Sequence, residues 1–129
     1  GRLGAADYRA RATQICNDSR RETQALGRPR TTSQFKAFLA RGIQVTEHSL
    51  RRLEALRPPK DLQAAHAAIL TGERRGLAQL RALETRLHGD ARDVAVLKRT
   101  QPQLDRLAAE AEARYRAAGL AACTTPADA

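Results

Sequence analysis

At 129 residues, with a formal net charge of +9, 42% hydrophobic residues and only Tyr8, Phe35, Phe38 and Tyr115 as aromatics, the chain has the size of one domain whose core is built from Leu, Ile, Val and Ala. Charges interrupt every apolar stretch within a few residues, which excludes the roughly 18 to 20 apolar residues that a membrane span requires. The abundance of Ala, Leu, Arg, Glu and Gln, side chains that lose little rotamer freedom in a helix, argues against a sheet and predicts an all-α protein.

The first predicted helix carries Tyr8, Ala12, Ile15, Ser19, Thr23 and Leu26 on one face and ends at Gly27 and Pro29. The second is the most regular. Phe35, Leu39, Gly42, Thr46, Ser49, Leu53 and Leu56 recur at alternating steps of four and three, Phe38, Ile43 and Leu50 widen the stripe, and Thr32 or Ser33 is the expected cap. Pro58 and Pro59 close it. The third helix repeats the pattern with Leu62, Ala65, Ile69, Gly72, Gly76, Leu80, Leu83 and Leu87, its glycines letting a neighbouring helix approach. Gly89 and Asp90 separate it from the fourth, with Asp90 as the expected N-cap and a seam of Val94, Leu97, Gln101, Leu104, Ala108, Ala111, Tyr115 and Ala118.

Pro102 removes an amide donor inside that last segment, so a kink is expected there, with a break into two helices as the alternative because Thr100 and Gln103 fit a capping box. Gly119 followed by Leu120 suits a Schellman stop. The expected architecture is an up-down-up-down four-helix bundle forming a single domain over residues 1–123, with a disordered tail over 124–129. The chain opens at Gly1 and contains no Met, and an export signal is expected upstream of it.

Cys16 and Cys123 lie 107 positions apart and match no metal or thioredoxin-like spacing. A structural disulfide is the expected use of the pair, with two inert buried thiols as the alternative. An up-down bundle sets helix one beside the end of helix four, and closing so long a loop stabilises by roughly 4 to 5 kcal/mol in the chain-entropy treatment.

The segment Ala12-Thr13-Gln14-Ile15-Cys16, the stretch Leu53-Glu54-Ala55-Leu56-Arg57-Pro58-Pro59 and the ending Gly119-Leu120-Ala121-Ala122-Cys123 together resemble a family of small exported four-helix proteins of high-GC bacteria. That family is similar in its early "IC", its "LxxLxPP" turn and its terminal "GLxxC", whose cysteine pairs with the first; Pro102 has no counterpart in the pattern. The resemblance implies an extracellular or cell-envelope address, often through a lipoprotein leader or membrane anchor, and no particular activity.

Chemistry-bearing motifs are sparse. None of His48, His66 and His88 has a Glu three residues before it, as a carboxylate-bridged metal site in a bundle requires, and C-x-x-C-H is absent. The histidines are expected on the surface, and no metal or cofactor is expected. Ser19, Ser33 and Ser49 lack an activating base, no glycine-rich phosphate loop occurs, and the carboxylates fall on expected exposed faces, so an enzyme is not expected. A basic chain invites nucleic acid, but arginines interleaved with acids, few aromatics for stacking and a disulfide argue against it.

Arginine dominates the charge, which also follows from a GC-rich coding sequence. Its placement says more: residues 1–30 hold seven basic and three acidic side chains, whereas residues 89–129 are balanced at six and six. Arg20, Arg21, Arg28 and Arg30 surround the first turn, and Arg86 and Arg92 belong to the same end of an up-down bundle. These six are the candidate anion-binding residues, for anionic lipid headgroups or acidic envelope polymers. The expected function is that of an exported binding or structural module of the cell envelope. The alternatives are a small-ligand carrier with a cleft around Gly42, Gly72 and Gly76, or a polyanion-binding protein.

Overall fold

The computed structural model describes residues 1–124; Thr124, expected in the tail, is instead buried with its hydroxyl donating to the Ala121 carbonyl at 2.6 Å, and the rest of the expected tail lies outside the described residues. Four helices, α1 (Ala5–Ala25), α2 (Thr32–Glu54), α3 (Gln63–Arg86) and α4 (Asp93–Ala117), run alternately up and down, with short 3-10 turns at Lys60–Leu62 and Ala121–Cys123. The all-α bundle with one disulfide is therefore what the chain forms. α2 packs against α1 and α3, and α3 against α4, while α1 meets the end of α4 chiefly through the Ala121–Cys123 turn.

Local chemistry sets the helix ends, in two places differently from expectation. The cap of α2 is Thr31, not Thr32 or Ser33: its hydroxyl accepts from the Gln34 amide at 3.2 Å, and Gln34 Oε1 accepts from the Arg30 amide at 2.8 Å. This reciprocal arrangement is close to a capping box. Nor is Asp90 the cap of α4. It accepts from the Arg92 amide at 2.9 Å and pairs with the Arg92 guanidinium, while the fully buried Asp93 closes the turn by accepting from the His88 and Gly89 amides at 2.8 and 2.7 Å. At the other end of α4 the Schellman stop forms. Gly119 has φ +76°, its amide donates to Arg116, and the Leu120 amide reaches the Tyr115 carbonyl at 2.9 Å.

α4 runs unbroken through Pro102, which is exposed, so the capping-box alternative at Thr100 fails. The Thr100 hydroxyl donates to the Val96 carbonyl at 2.7 Å, an interior helical bond. The buried face of α4 keeps Leu97, Leu104, Tyr115 and Ala118 of the expected seam but departs from it elsewhere: Asp93 and Thr100 are buried, whereas Gln101 and Ala108 are exposed and Val94 is 44% exposed.

The apolar core falls into two clusters. Tyr8, Ala12, Ile15, Leu53, Ile69, Ala118 and Leu120 form one at the pole of the α2–α3 turn, and Leu39, Ile43, Leu50, Leu77, Leu83 and Leu87 form the other towards the α1–α2 turn, with half-buried Leu70 touching both. Between them lies a layer of small and polar side chains, among them Ser19, Thr46, Ser49, Gly72, Glu73 and Tyr115, none of which belongs to the buried apolar set. Cys16 and Cys123 are bonded at the edge of this layer, with Cα atoms 5.4 Å apart, a separation ordinary for disulfides.

Candidate functional site

The two poles of the bundle and its middle layer each carry a concavity. At the first pole, the α1–α2 turn and the start of α2 enclose a groove of about 500 Å³, floored by Leu26, Pro29 and Phe38 and lined by Arg28, Arg30 and Arg41. The Thr31 and Gln34 hydrogen bonds fix the backbone of the turn. Arg41 stands seven residues beyond Gln34 and therefore on the same helix face. The three arginines are exposed, and among the described residues no carboxylate lies within ion-pairing distance of any of them. The first turn of α2 holds no acidic residue, so its unpaired amides add positive potential at the same place.

The six arginines picked out from the sequence thus part company. Arg28 and Arg30 line the groove. Arg86 ends α3 at the same pole, a placement consistent with the Lys36 ammonium bonding the Leu87 carbonyl at 2.9 Å across the α2–α3 interface, but it does not line the groove. Arg92 is engaged by Asp90, whose carboxyl its guanidinium holds at about 2. Arg21 pairs with Asp18, which also takes a bond from Arg52 at 2.7 Å. Arg20 is directed along α1 to the Ala122 carbonyl at 3.2 Å, beside the disulfide. Arg41, absent from the sequence set, joins the groove; the spacing Gln34, Phe38, Arg41 was the available signal. At the opposite pole Arg11 and Arg57 line a second concavity of about 340 Å³ with Leu3 and Leu56, so positive charge is not confined to one end.

The middle layer brings the expected seam residues Ser19, Thr46, Ser49 and Tyr115 together with Glu73, a carboxylate expected on an exposed face. Glu73 is largely screened from solvent, and burial pushes its carboxyl above the ordinary range against the opposing pull of the Tyr115 hydrogen bond and the Arg114 charge. Tyr115 donates to Glu73 Oε1 at 3.2 Å, and burial together with that carboxylate raises its phenol far above the usual value. Ser19, Thr46 and Ser49 line the cavity of about 270 Å³ between α1 and α4 on one side of Glu73. On its other side, Leu77, Leu80, Leu104 and Leu107 line a second of about 210 Å³ between α3 and α4.

Of Gly42, Gly72 and Gly76, Gly72 alone admits a group from a neighbouring helix as expected. A Cβ at Gly42 or Gly76 would meet nothing within 4 Å, so neither allows a close helix approach, and at Gly72 the space is taken by the Arg114 guanidinium. Gly72 and Gly76 do line the apolar cavity of the anticipated cleft; Gly42 does not.

His66 overturns the expectation of surface histidines. It is 5% exposed, and its Nδ1 bonds the Tyr8 hydroxyl at 2.8 Å, with the two rings edge to face at 5.4 Å. Its Nε2 is buried without a hydrogen-bond partner, and burial lowers its pKa. His48 remains half exposed, 3.7 Å from Glu22, and His88 is exposed. Among the described residues no three His, Cys, Asp or Glu side chains converge as a metal site would need. Among the described residues no helix is long and apolar enough to cross a membrane.

No family model, curated protein or solved structure matches the chain.

Proposed function

We propose that the protein is an exported, disulfide-closed binding module of the cell envelope that docks on phosphate-bearing surfaces through the groove at its α1–α2 turn. The observation that carries this reading is the trio Arg28, Arg30 and Arg41, unpaired with any described carboxylate and gathered around an apolar floor. Guanidinium groups offer planar, bidentate donors to phosphate, and Leu26, Pro29 and Phe38 suit the apolar edge of a lipid interface. The disulfide supports an oxidising compartment. The motif resemblance to small exported bacterial proteins points the same way.

Anionic lipid headgroups are the favoured partner because the groove pairs charge with apolar area, whereas an acidic polymer uses the charge alone. Cosedimentation with phosphatidylglycerol and phosphatidylcholine vesicles tests this. Binding is expected only to the anionic vesicles and is expected to weaken as salt shortens the Debye length to about 8 Å and below. Equal binding to both vesicle types, or none to either, contradicts the proposal, and full displacement by a soluble acidic polymer reassigns the groove to that partner.

A further inference from the structure

The polar layer is costly to the fold, and its shape gives that cost a use. A core of this size gains most from continuous apolar packing, yet α1, α2, α3 and α4 meet at mid-height around hydroxyls, a carboxyl and a phenol. Only one carboxylate oxygen of Glu73 is engaged: Oε1 accepts from Tyr115, and among the described residues no hydrogen bond reaches Oε2. Arg114 attracts the carboxylate through space, but its guanidinium lies against Gly72 and makes no ion pair with Glu73. A half-buried carboxylate that lines a cavity and has one free oxygen is a receptor for a cation, because a charge-assisted bond there is less screened than on an open surface.

The two cavities on either side of Glu73 add shape to charge. Both are lined by Thr46 and Glu73; one continues among Ser19, Ser49 and Tyr115 with Arg20, the other among Leu77, Leu104 and Leu107 with Arg114. A ligand that follows this division has a hydrogen-bonding cationic head and a short apolar chain. The cavities, at about 270 and 210 Å³, are small against the roughly 300 to 1,000 Å³ of drug-sized sites, which restricts the chain to a modest length.

We infer that the layer around Glu73 binds small primary alkylamines, with the ammonium held by the Glu73 carboxylate and the alkyl chain lying between α3 and α4. This site is separate from the arginine groove and does not depend on its function. The disulfide and Arg20 line the polar half on the side where α1 meets the end of α4 chiefly through the C-terminal turn.

Octylamine is the probe, with octanol and octanoate as comparisons, added to the oxidised full chain near neutral pH and followed by amide chemical shifts. Octylamine is expected to shift Ser49, Glu73, Tyr115 and Ala111 saturably, with octanol and octanoate weaker by about tenfold or more, the usual worth of one charge-assisted contact. Glu73→Gln is expected to lose octylamine by a similar factor while keeping its helicity. Ala111→Leu, which fills the apolar cavity without altering the carboxyl, provides an independent loss if the first variant does not fold. Octanoate binding as tightly as octylamine, undiminished binding in either folded variant, or no saturable shift overturns the inference.

Discussion

The Tyr115 hydroxyl, 3.2 Å from Glu73 Oε1, ties α4 to α3 through a polar contact at the level where the two apolar clusters separate. The bond stabilises the ionised carboxylate, and burial opposes it and wins, leaving the carboxyl above its ordinary value of 4.5. A group raised in this way contributes its stability below the unfolded value and loses it as pH rises through the folded one. Glu73→Gln should therefore raise Tm by a few degrees near pH 7, and the advantage should vanish as pH falls below about 4.5. Thermal melts across that range check it, and a Glu73→Gln protein less stable than the parent at neutral pH would show the carboxylate to be a net structural gain. Tyr115→Phe should cost about 1 to 3 kcal/mol, as loss of a hydrogen bond to a charged group does.

His66 gives the opposite pH dependence. Burial holds its pKa below the ordinary 6.5, so the folded state resists protonation more than the unfolded chain does. Its contribution is fully present above about pH 6.5 and is lost as pH falls from there through the folded value. Denaturant melts at pH 7.5 and at pH 5.5 should show a loss in the parent that is smaller in His66→Gln. A pH slope unchanged by the substitution would assign the loss to other groups.

The disulfide prediction separates cross-linking from packing. Cys16→Ser should lower stability by up to about 4 to 5 kcal/mol while leaving far-ultraviolet helicity, because the bond acts mainly on the unfolded chain. Leu53→Ala and Leu83→Ala, at positions only 2% and 1% exposed, should each cost about 2 to 5 kcal/mol with the bond intact. Losses below about 0.5 kcal/mol at both leucines would contradict the core assignment.

The bundle was legible because its punctuation is chemical. Pro29, Pro58, Pro59 and Gly89 cannot be absorbed into helices as cheaply as other residues, and Gly119 meets the positive φ of a Schellman stop. The stripe of α2 gave Leu39, Ile43, Leu50 and Leu53 correctly because its apolar residues are large and evenly spaced. α4 was read correctly at Leu97, Leu104, Tyr115 and Ala118, which pack on the two clusters, but one position out at Val94 and Gln101, where the buried side chains are the polar Asp93 and Thr100, each satisfied by backbone. His66 was missed because its burial depends on Tyr8, 58 residues away. The middle layer was visible in part as Thr46, Ser49 and the glycines, but Glu73 looked like a surface acid until Tyr115 was brought beside it. The linear clustering of arginines could not separate Arg28 and Arg30 from Arg20, Arg21 and Arg92, whose partners are set by local turns and by the C-terminal segment.

The most direct test of the docking account compares two variants of equal charge. One carries Arg28→Gln, Arg30→Gln and Arg41→Gln, and the other Arg2→Gln, Arg11→Gln and Arg57→Gln in the segments at the opposite pole. A basic residue near an anionic surface contributes about 1 kcal/mol, so the groove variant should bind phosphatidylglycerol vesicles about a hundredfold more weakly than the parent at about 0.1 M salt, where the Debye length is about 10 Å. The opposite-pole variant should lose far less, since its charges stand away from the docked surface by more than a Debye length. Cosedimentation of the three proteins at one salt concentration measures this, and equal losses in the two variants would contradict docking through the groove.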